Sequence, residues 1–303
     1  MDLKEKIRAL AEKKGAVILA HVYTRPEVQD VADYVGDSLG LARKAAASDP
    51  SRRIIVFCGV HFMAETAAVL CPGRKVLEPA PDAGCPMADM VDAADVRELR
   101  AGHPGAAVAC YVNSTAEVKA ESDVCVTSSN AVKIVKSLRE DEVIFVPDQS
   151  LGAYVQTQAP EKKLILWPGY CPTHHRMTAA MVDEARRRHL GALVMAHPEC
   201  TADVLSRADF IGSTGQMQAF AHESAGRAFI VASENGLLHR LEADNPGKDF
   251  HEVTLLAVCP NMKKATRAGI LDVLEREDNV VSVPEEVRGR ALAAVERMLE
   301  MSR

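Results

Sequence analysis

Short apolar runs alternate with amphipathic stretches along the whole chain. Val17–His21, Ala106–Tyr111 and Ala192–His197 are apolar for five or six residues, the length and composition of buried parallel strands. A second strand is expected near Asp33–Val35, Val124–Val126 and Phe210–Ile211, and a third over Ile54–Cys58, Val143–Val146 and Ala228–Ala232. Between them the spacing predicts helices over Ala116–Ser122, Ser38–Ala47, Ser128–Arg139 and Thr214–Ala225. Met87–Arg100, Met177–His189 and Met262–Glu277 read as connecting helices, and Pro284–Met301 as a closing helix expected to pack back on the start of the chain. Strands alternating with helices imply parallel sheets covered on both faces.

The alternation repeats three times. With His21, Tyr111 and His197 as origin, Tyr23, Asn113 and Glu199 follow two residues on. Asp33, Asp123 and Asp209 follow twelve on, and Ser38, Ser128 and Thr214 seventeen on, without a gap. His61, Gln149 and Asn235 correspond after the third strands, and each unit closes on Cys-Pro: Cys85-Pro86, Cys171-Pro172 and Cys259-Pro260. A fourth Cys-Pro pair, Cys71-Pro72, lies outside the register and reads as structural. The expected fold is therefore α/β, with three pseudo-threefold-related αβα units around a central cavity. The units are residues 1–85, 86–172 and 173–260, with 261–303 packed back on the first.

Composition narrows the function. The 303 residues carry 36 Lys+Arg against 42 Asp+Glu, a net charge of −6, and only 4% are aromatic. That is a poor surface for nucleic acid or an anionic membrane. No apolar run approaches the roughly 20 residues of a membrane helix, and Met1–Lys14 has no signal-peptide core, so a cytoplasmic location is expected. Eight cysteines in such a protein suit metal binding or a buried core better than a disulfide framework.

Three cysteines in one register can converge on one point, where soft thiolates suit an iron–sulfur cluster, zinc or Cu(I). Three ligands rather than four leave one metal position open, as Lewis-acid chemistry requires. The bland alternative is three equivalent core cysteines inherited by duplication. The other repeated residues argue against it. His21, Tyr111 and His197 end first strands, where open α/β sheets bind ligands. Ser38, Ser128 and Thr214 are expected to begin helices; each alone would be a plain cap, but three helix starts facing one cavity form an anion site.

The chain resembles the quinolinate synthase family, also called the quinolinate synthetase A family. The resemblance rests on Ala20-His21-Val22-Tyr23, Gly36-Asp37-Ser38-Leu39, the segment from Gly59 to Thr66, Tyr111-Val112-Asn113-Ser114 and Val126–Asn130. It continues through Pro147-Asp148-Gln149, Gly169–His174, His197-Pro198-Glu199-Cys200, Gly212-Ser213-Thr214, Glu234-Asn235-Gly236 and Cys259–Met262. It implies a transferase that condenses iminoaspartate with dihydroxyacetone phosphate to quinolinate, phosphate and water in NAD biosynthesis. It further implies an oxygen-sensitive [4Fe-4S] cluster on Cys85, Cys171 and Cys259, inside the central cavity. The family's active-site positions match His21, Tyr23, Ser38, Tyr111, Asn113, Ser128, His174, His197, Glu199 and Thr214. Residue chemistry then suggests Glu199 as general acid/base, with Tyr23 and His174 as proton-transfer partners. His21, Ser38, Ser128, His197, Ser213 and Thr214 would hold carboxylates and phosphate, and Tyr111 and Asn113 would orient the ring. A transient partner that produces the unstable imine is a hypothesis without an interface signal in the sequence.

Some relatives carry Cys-x-x-Cys-x-x-Cys ending at the third ligand. Val253 and Leu256 stand there, so no disulfide switch is expected at this place. Three rival readings remain, one of them a non-catalytic iron–sulfur sensor, which would need no polar cavity and would keep its function when Glu199 or Tyr23 is replaced by Ala or Phe. His197-Pro-Glu199 is similar to the His-x-Glu of zinc deaminases, but the Cys-x-x-Cys they also need is absent. A zinc site of the three cysteines plus His174 would hold zinc without sulfide.

Overall fold

The computed structural model describes residues 2–303. Its three sheets share one strand order. In the first, Tyr34–Gly36, Ala16–His21, Ile54–Cys58 and Lys75–Leu77 lie side by side in that order. The second runs Val124–Val126, Ala107–Tyr111, Glu142–Val146, Lys163–Leu166, and the third Phe210–Ile211, Leu193–Ala196, Ala228–Ala232, Asp249–Glu252. Neighbours within these sets are parallel; Val280–Val281 adds an antiparallel edge to the first sheet. The register repeats as well: Leu19 faces Tyr34, Ala109 faces Val124 and Met195 faces Phe210. The expected α/β architecture of three units is the observed one.

The repeated aspartates hold this register. Each ends a loop and turns a carboxylate oxygen to a first-strand amide: Asp33 to Ile18 N–H at 2.7 Å, Asp123 to Val108 at 2.7 Å, Asp209 to Val194 at 2.8 Å. An arginine from the preceding helix pairs with each, Arg8 at 2.8 Å, Arg100 at 3.1 Å and Arg186 at 2.8 Å. The same arginines also donate to the carbonyls of Val31, Glu121 and Arg207. The ion pairs are partly solvated and weak. The charge-assisted bonds to backbone groups do more to fix where each second strand enters.

A second repeated device places the cysteines. The residue after each third-strand turn donates its amide to the carbonyl two positions before the cysteine. These bonds run from His61 to Ala83 at 2.9 Å, Gln149 to Gly169 at 2.9 Å and Asn235 to Ala257 at 2.8 Å. At Gly169 the approach is so close that any Cβ would collide with the Pro147 carbonyl, which is why glycine stands there.

The units share their cores unequally. Val17, Leu19 and Phe57 of the first pack in one cluster with Met195, Phe229 and Leu241 of the third. The second unit keeps its own cluster, around Ala109, Val124 and Phe145. Residues 261–303 divide between units. Arg267–Arg276 packs on Leu3–Lys13, and Val280–Val281 pairs with Lys75–Leu77 of the first unit. The closing helix, Glu285–Met301, lies instead mainly against Ala116–Ala120 and Val124–Val126 of the second, touching His61–Leu70 of the first. The expectation that it returns to the first unit is corrected accordingly. Ala294, Val295 and Met298 make its apolar stripe, and the second unit offers the matching apolar surface of Val124, Val126 and Val135.

Candidate active site

One cavity is lined by residues of all three units. His21 and Tyr111 end their first strands, and His197 directly follows the third unit's first strand. Tyr23, Asn113 and Glu199 follow on the loops beyond. All six line the cavity, as do Ser38, Ser128, Thr214 and His174. So do Cys85, Cys171 and Cys259. Strand ends and cysteine loops thus meet on one side of three sheets.

Two of the three hydroxyl positions begin helices as expected. Ser38 opens Ser38–Ala47 and Thr214 opens Thr214–Glu223. Ser128 does not. Its segment forms a turn closed by Asn130, whose Oδ1 accepts the Thr127 N–H at 2.6 Å, so the helix starts only at Ala131. The Ser128 hydroxyl bonds His197 Nε2 at 3.2 Å instead. Ser213 is the helix cap rather than a cavity residue; its Oγ takes the Gln216 N–H at 3.2 Å in a capping box. Asp37 was not foreseen as a site residue. It caps Ser38–Ala47 through Gly40 N–H at 2.7 Å, and its carboxylate lies beside Gly215 at the start of Thr214–Glu223.

Glu199 is the hub of the polar wall. Its Oε1 accepts from the Tyr111 hydroxyl at 2.6 Å and from Asn113 Nδ2 at 3.3 Å, and its Oε2 lies 2.8 Å from His174 Nδ1. Burial works to raise this carboxyl, but His174, in direct contact, and the Tyr111 hydroxyl hold it below its usual range. The His174 Nδ1 that faces a carboxylate is a donor, and it also sits 3.2 Å from Cys171 Sγ. Burial depresses His21 and His197 to about 3, so both are neutral. Each accepts a backbone N–H at Nδ1, from Tyr23 at 3.2 Å and Glu199 at 3.3 Å, which leaves the proton on Nε2. Tyr23 and Tyr111 are pushed well above 10 by burial, so both remain phenols.

Ser233 carries no repeat signal, because Gly59 and Pro147 stand at its place in the other units. Yet its Oγ bridges the Tyr23 hydroxyl at 2.8 Å and His174 Nε2 at 3.2 Å. Asn113 Oδ1 is buried without a protein partner among the described residues, an acceptor left for a ligand.

The cysteines are free thiols. Burial pushes Cys85 up to about 12 and moves Cys171 and Cys259 the same way. Nearby main-chain N–H groups work against that shift: Ala88 and Met87 at Cys85, His174 at Cys171, Met262 and Asn261 at Cys259. Cys-Pro explains this, since the chain turns helically after the proline and aims its first amides back at the sulfur. Such donors stabilise a thiolate far more than a thiol. A soft metal centre would supply the thiolate form, so the donor set fits one. A second grouping, Cys171, His174 and Glu199, has ligand atoms within 4.8 Å of one another.

No helix is long and apolar enough to cross a membrane among the described residues. The model of the quinolinate synthetase A protein family matches residues 5–300. The quinolinate synthase of Dehalococcoides mccartyi is 53% identical over 299 residues, covering 99% of this chain and 98% of that protein. Those of Alkaliphilus metalliredigens, 49% over 300 residues, and Methanoregula boonei, 52% over 299, cover 99% of this chain and 98% of theirs. The chain belongs to the quinolinate synthase family.

Proposed function

We propose that this enzyme condenses iminoaspartate with dihydroxyacetone phosphate to quinolinate, phosphate and water, a step that supplies NAD biosynthesis. The observation that carries the reading is the meeting, in one cavity, of three register-related cysteines with a carboxylate held ionised by histidine. Cys85, Cys171 and Cys259 would hold a [4Fe-4S] cluster. When bound, such a cluster supplies Lewis acidity through the iron that no cysteine closes off.

The remaining work falls to side chains. Glu199 is the base: ionised, buried and steadied by Tyr111, it can take a proton from bound substrate without reorganising. Tyr23, a phenol held by Ser233, is placed to give a proton to a departing oxygen, and His174 links the two through Ser233. His21 and His197 offer neutral Nε2–H donors, suited to carboxylate oxygens without a permanent opposing charge. Ser38 and Thr214 stand at helix starts where a phosphate or carboxylate is favoured by roughly 0.3–1 kcal/mol per helix. The unpartnered Asn113 Oδ1 would take an N–H or O–H of the forming ring. The low exposure of Glu199, 4%, limits water at the reacting atoms. An enzyme that generates iminoaspartate is the transient partner this chemistry calls for.

A mononuclear metal on Cys171, His174 and Glu199 is the second reading, favoured by their mutual reach. It would have to displace the 2.8 Å bond between His174 and Glu199. Anaerobically purified protein should form quinolinate from the two substrates and contain acid-labile sulfide. Zinc without sulfide, with no quinolinate formed, would sink the first reading in favour of the second.

A further inference from the structure

Glu234 is wholly buried in the cavity wall, and nothing in the proposed chemistry uses it. Its Oε1 accepts the Cys259 N–H at 3.0 Å and its Oε2 the Gly236 N–H at 2.7 Å. Lys263 Nζ approaches the same carboxylate at 2.8 Å and also donates to the carbonyl of Tyr23, on the first unit. Gln29 makes a parallel tie: its Nε2 donates to Val22 O at 2.9 Å, Thr24 O at 3.0 Å and Gly236 O at 3.1 Å. The knot is tight. A Cβ on Gly236 would come within 2.6 Å of Lys263 Nζ and 2.8 Å of the Tyr23 carbonyl, so only glycine fits. Among the described residues no other cysteine has this link. The register partners of Glu234 are Val60, which has no polar side chain, and Asp148, whose Oδ1 caps Ser150 and Leu151.

We propose that Glu234 and Lys263 are positioning residues that couple the Cys259 loop to the Tyr23 loop, so that metal loading of the cysteines sets where Tyr23 stands. The physical basis is an ion pair between a fully buried Glu234 and a partly buried Lys263, whose charges each also bind backbone of a different unit. Movement of the Cys259 amide on ligation displaces Glu234, Lys263 follows its counter-ion rather than lose it, and the Tyr23 carbonyl moves with Lys263. The inference rests on the metal-site reading of the cysteines.

Hydrogen exchange of the Val22–Thr24 amides, measured anaerobically before and after iron and sulfide loading, tests it without reference to turnover. Loading should slow exchange there by about tenfold in the wild type. In Lys263→Met with the same iron content the slowing should fall to about twofold or less. Equal slowing in wild type and Lys263→Met would overturn the coupling. Should Lys263→Met fail to load, Lys263→Gln removes the charge that pairs with Glu234 while keeping a polar side chain beside the Cys259 loop. Reduced slowing in that variant supports the coupling, and undiminished slowing overturns it. A wild type that binds no iron would overturn the metal reading itself, a result distinct from either.

Discussion

The second and third units have the same strand order and the same aspartate clamp, yet they furnish the cavity differently. The second offers Tyr111, Asn113 and Ser128, all neutral; the third offers His197, Thr214 and two carboxyl side chains, Glu199 and Glu234. Identical backbone devices hold both sets in place: Asp123 and Asp209 on the first strands, Gln149 and Asn235 on the cysteine loops. What the repetition preserved is the frame. What it let diverge is the side chains that the frame points inward. The charge of the site accordingly sits on one side, with Glu199 reaching across to Tyr111 on the other.

Substitutions can break this contrast. The largest effect is expected at Glu199. Glu199→Gln removes the only ionised base among the first-strand loops and should lower turnover by about 10²–10⁴-fold. Iron and sulfide content should stay unchanged; a variant with near-normal turnover would remove Glu199 from its role. Gly169→Ala comes next. The added methyl meets the Pro147 carbonyl, so the Cys171 loop must shift, at a cost of about 1–3 kcal/mol. Thermal unfolding would report it, and an unchanged midpoint would mean the loop gives way freely.

The frame should respond alike in every unit. Asp33→Ala, Asp123→Ala and Asp209→Ala each strand one first-strand amide and should each cost about 1–2 kcal/mol in denaturant unfolding. Costs differing several-fold would show that the clamps are not equivalent. The smallest effect lies at His61, the first unit's counterpart of Gln149 and Asn235. Its bond to Glu78, 2.8 Å long, raises the half-exposed imidazole above 6.5 despite the opposing effect of burial. A raised folded-state value means the stabilisation is full below pH 6.5 and fades as pH rises through the raised value. His61→Asn should therefore flatten stability between mildly acidic and neutral pH by about 0.2–1 kcal/mol. An unchanged pH profile would refute the pairing.

Much of the frame was legible in the chain because it is written three times. The strands at Ile54–Cys58 and Ala228–Ala232, the helix at Ser38–Ala47 and the three Cys-Pro closures stand where the periodicity put them. Polar residues that recur in register, such as His21, Tyr111 and His197, were legible for the same reason. Ser233, Glu234 and Lys263 escaped because each occurs once, so no register marks it, and their partners lie up to 240 residues away. Ser128 misled because its hydroxyl falls at a helix-cap position in the repeat, while Asn130, two residues later, closes a turn that postpones the helix. The closing helix misled because an apolar stripe says that a helix packs but not against which of three similar units.

We propose that position in the repeat, not the Cys-Pro pair itself, makes a cysteine a ligand. The four Cys-Pro cysteines test it directly. Cys71 lies outside the register, buried at the end of His61–Leu70, where its Sγ contacts the Ala45 carbonyl. Iron and acid-labile sulfide should be measured in anaerobically prepared wild type beside Cys71→Ser, Cys85→Ser, Cys171→Ser and Cys259→Ser. About four of each per chain are expected in the wild type and in Cys71→Ser, and near-complete loss in the other three. Full iron and sulfide in any one of those three, or loss in Cys71→Ser with the protein still folded, would contradict it.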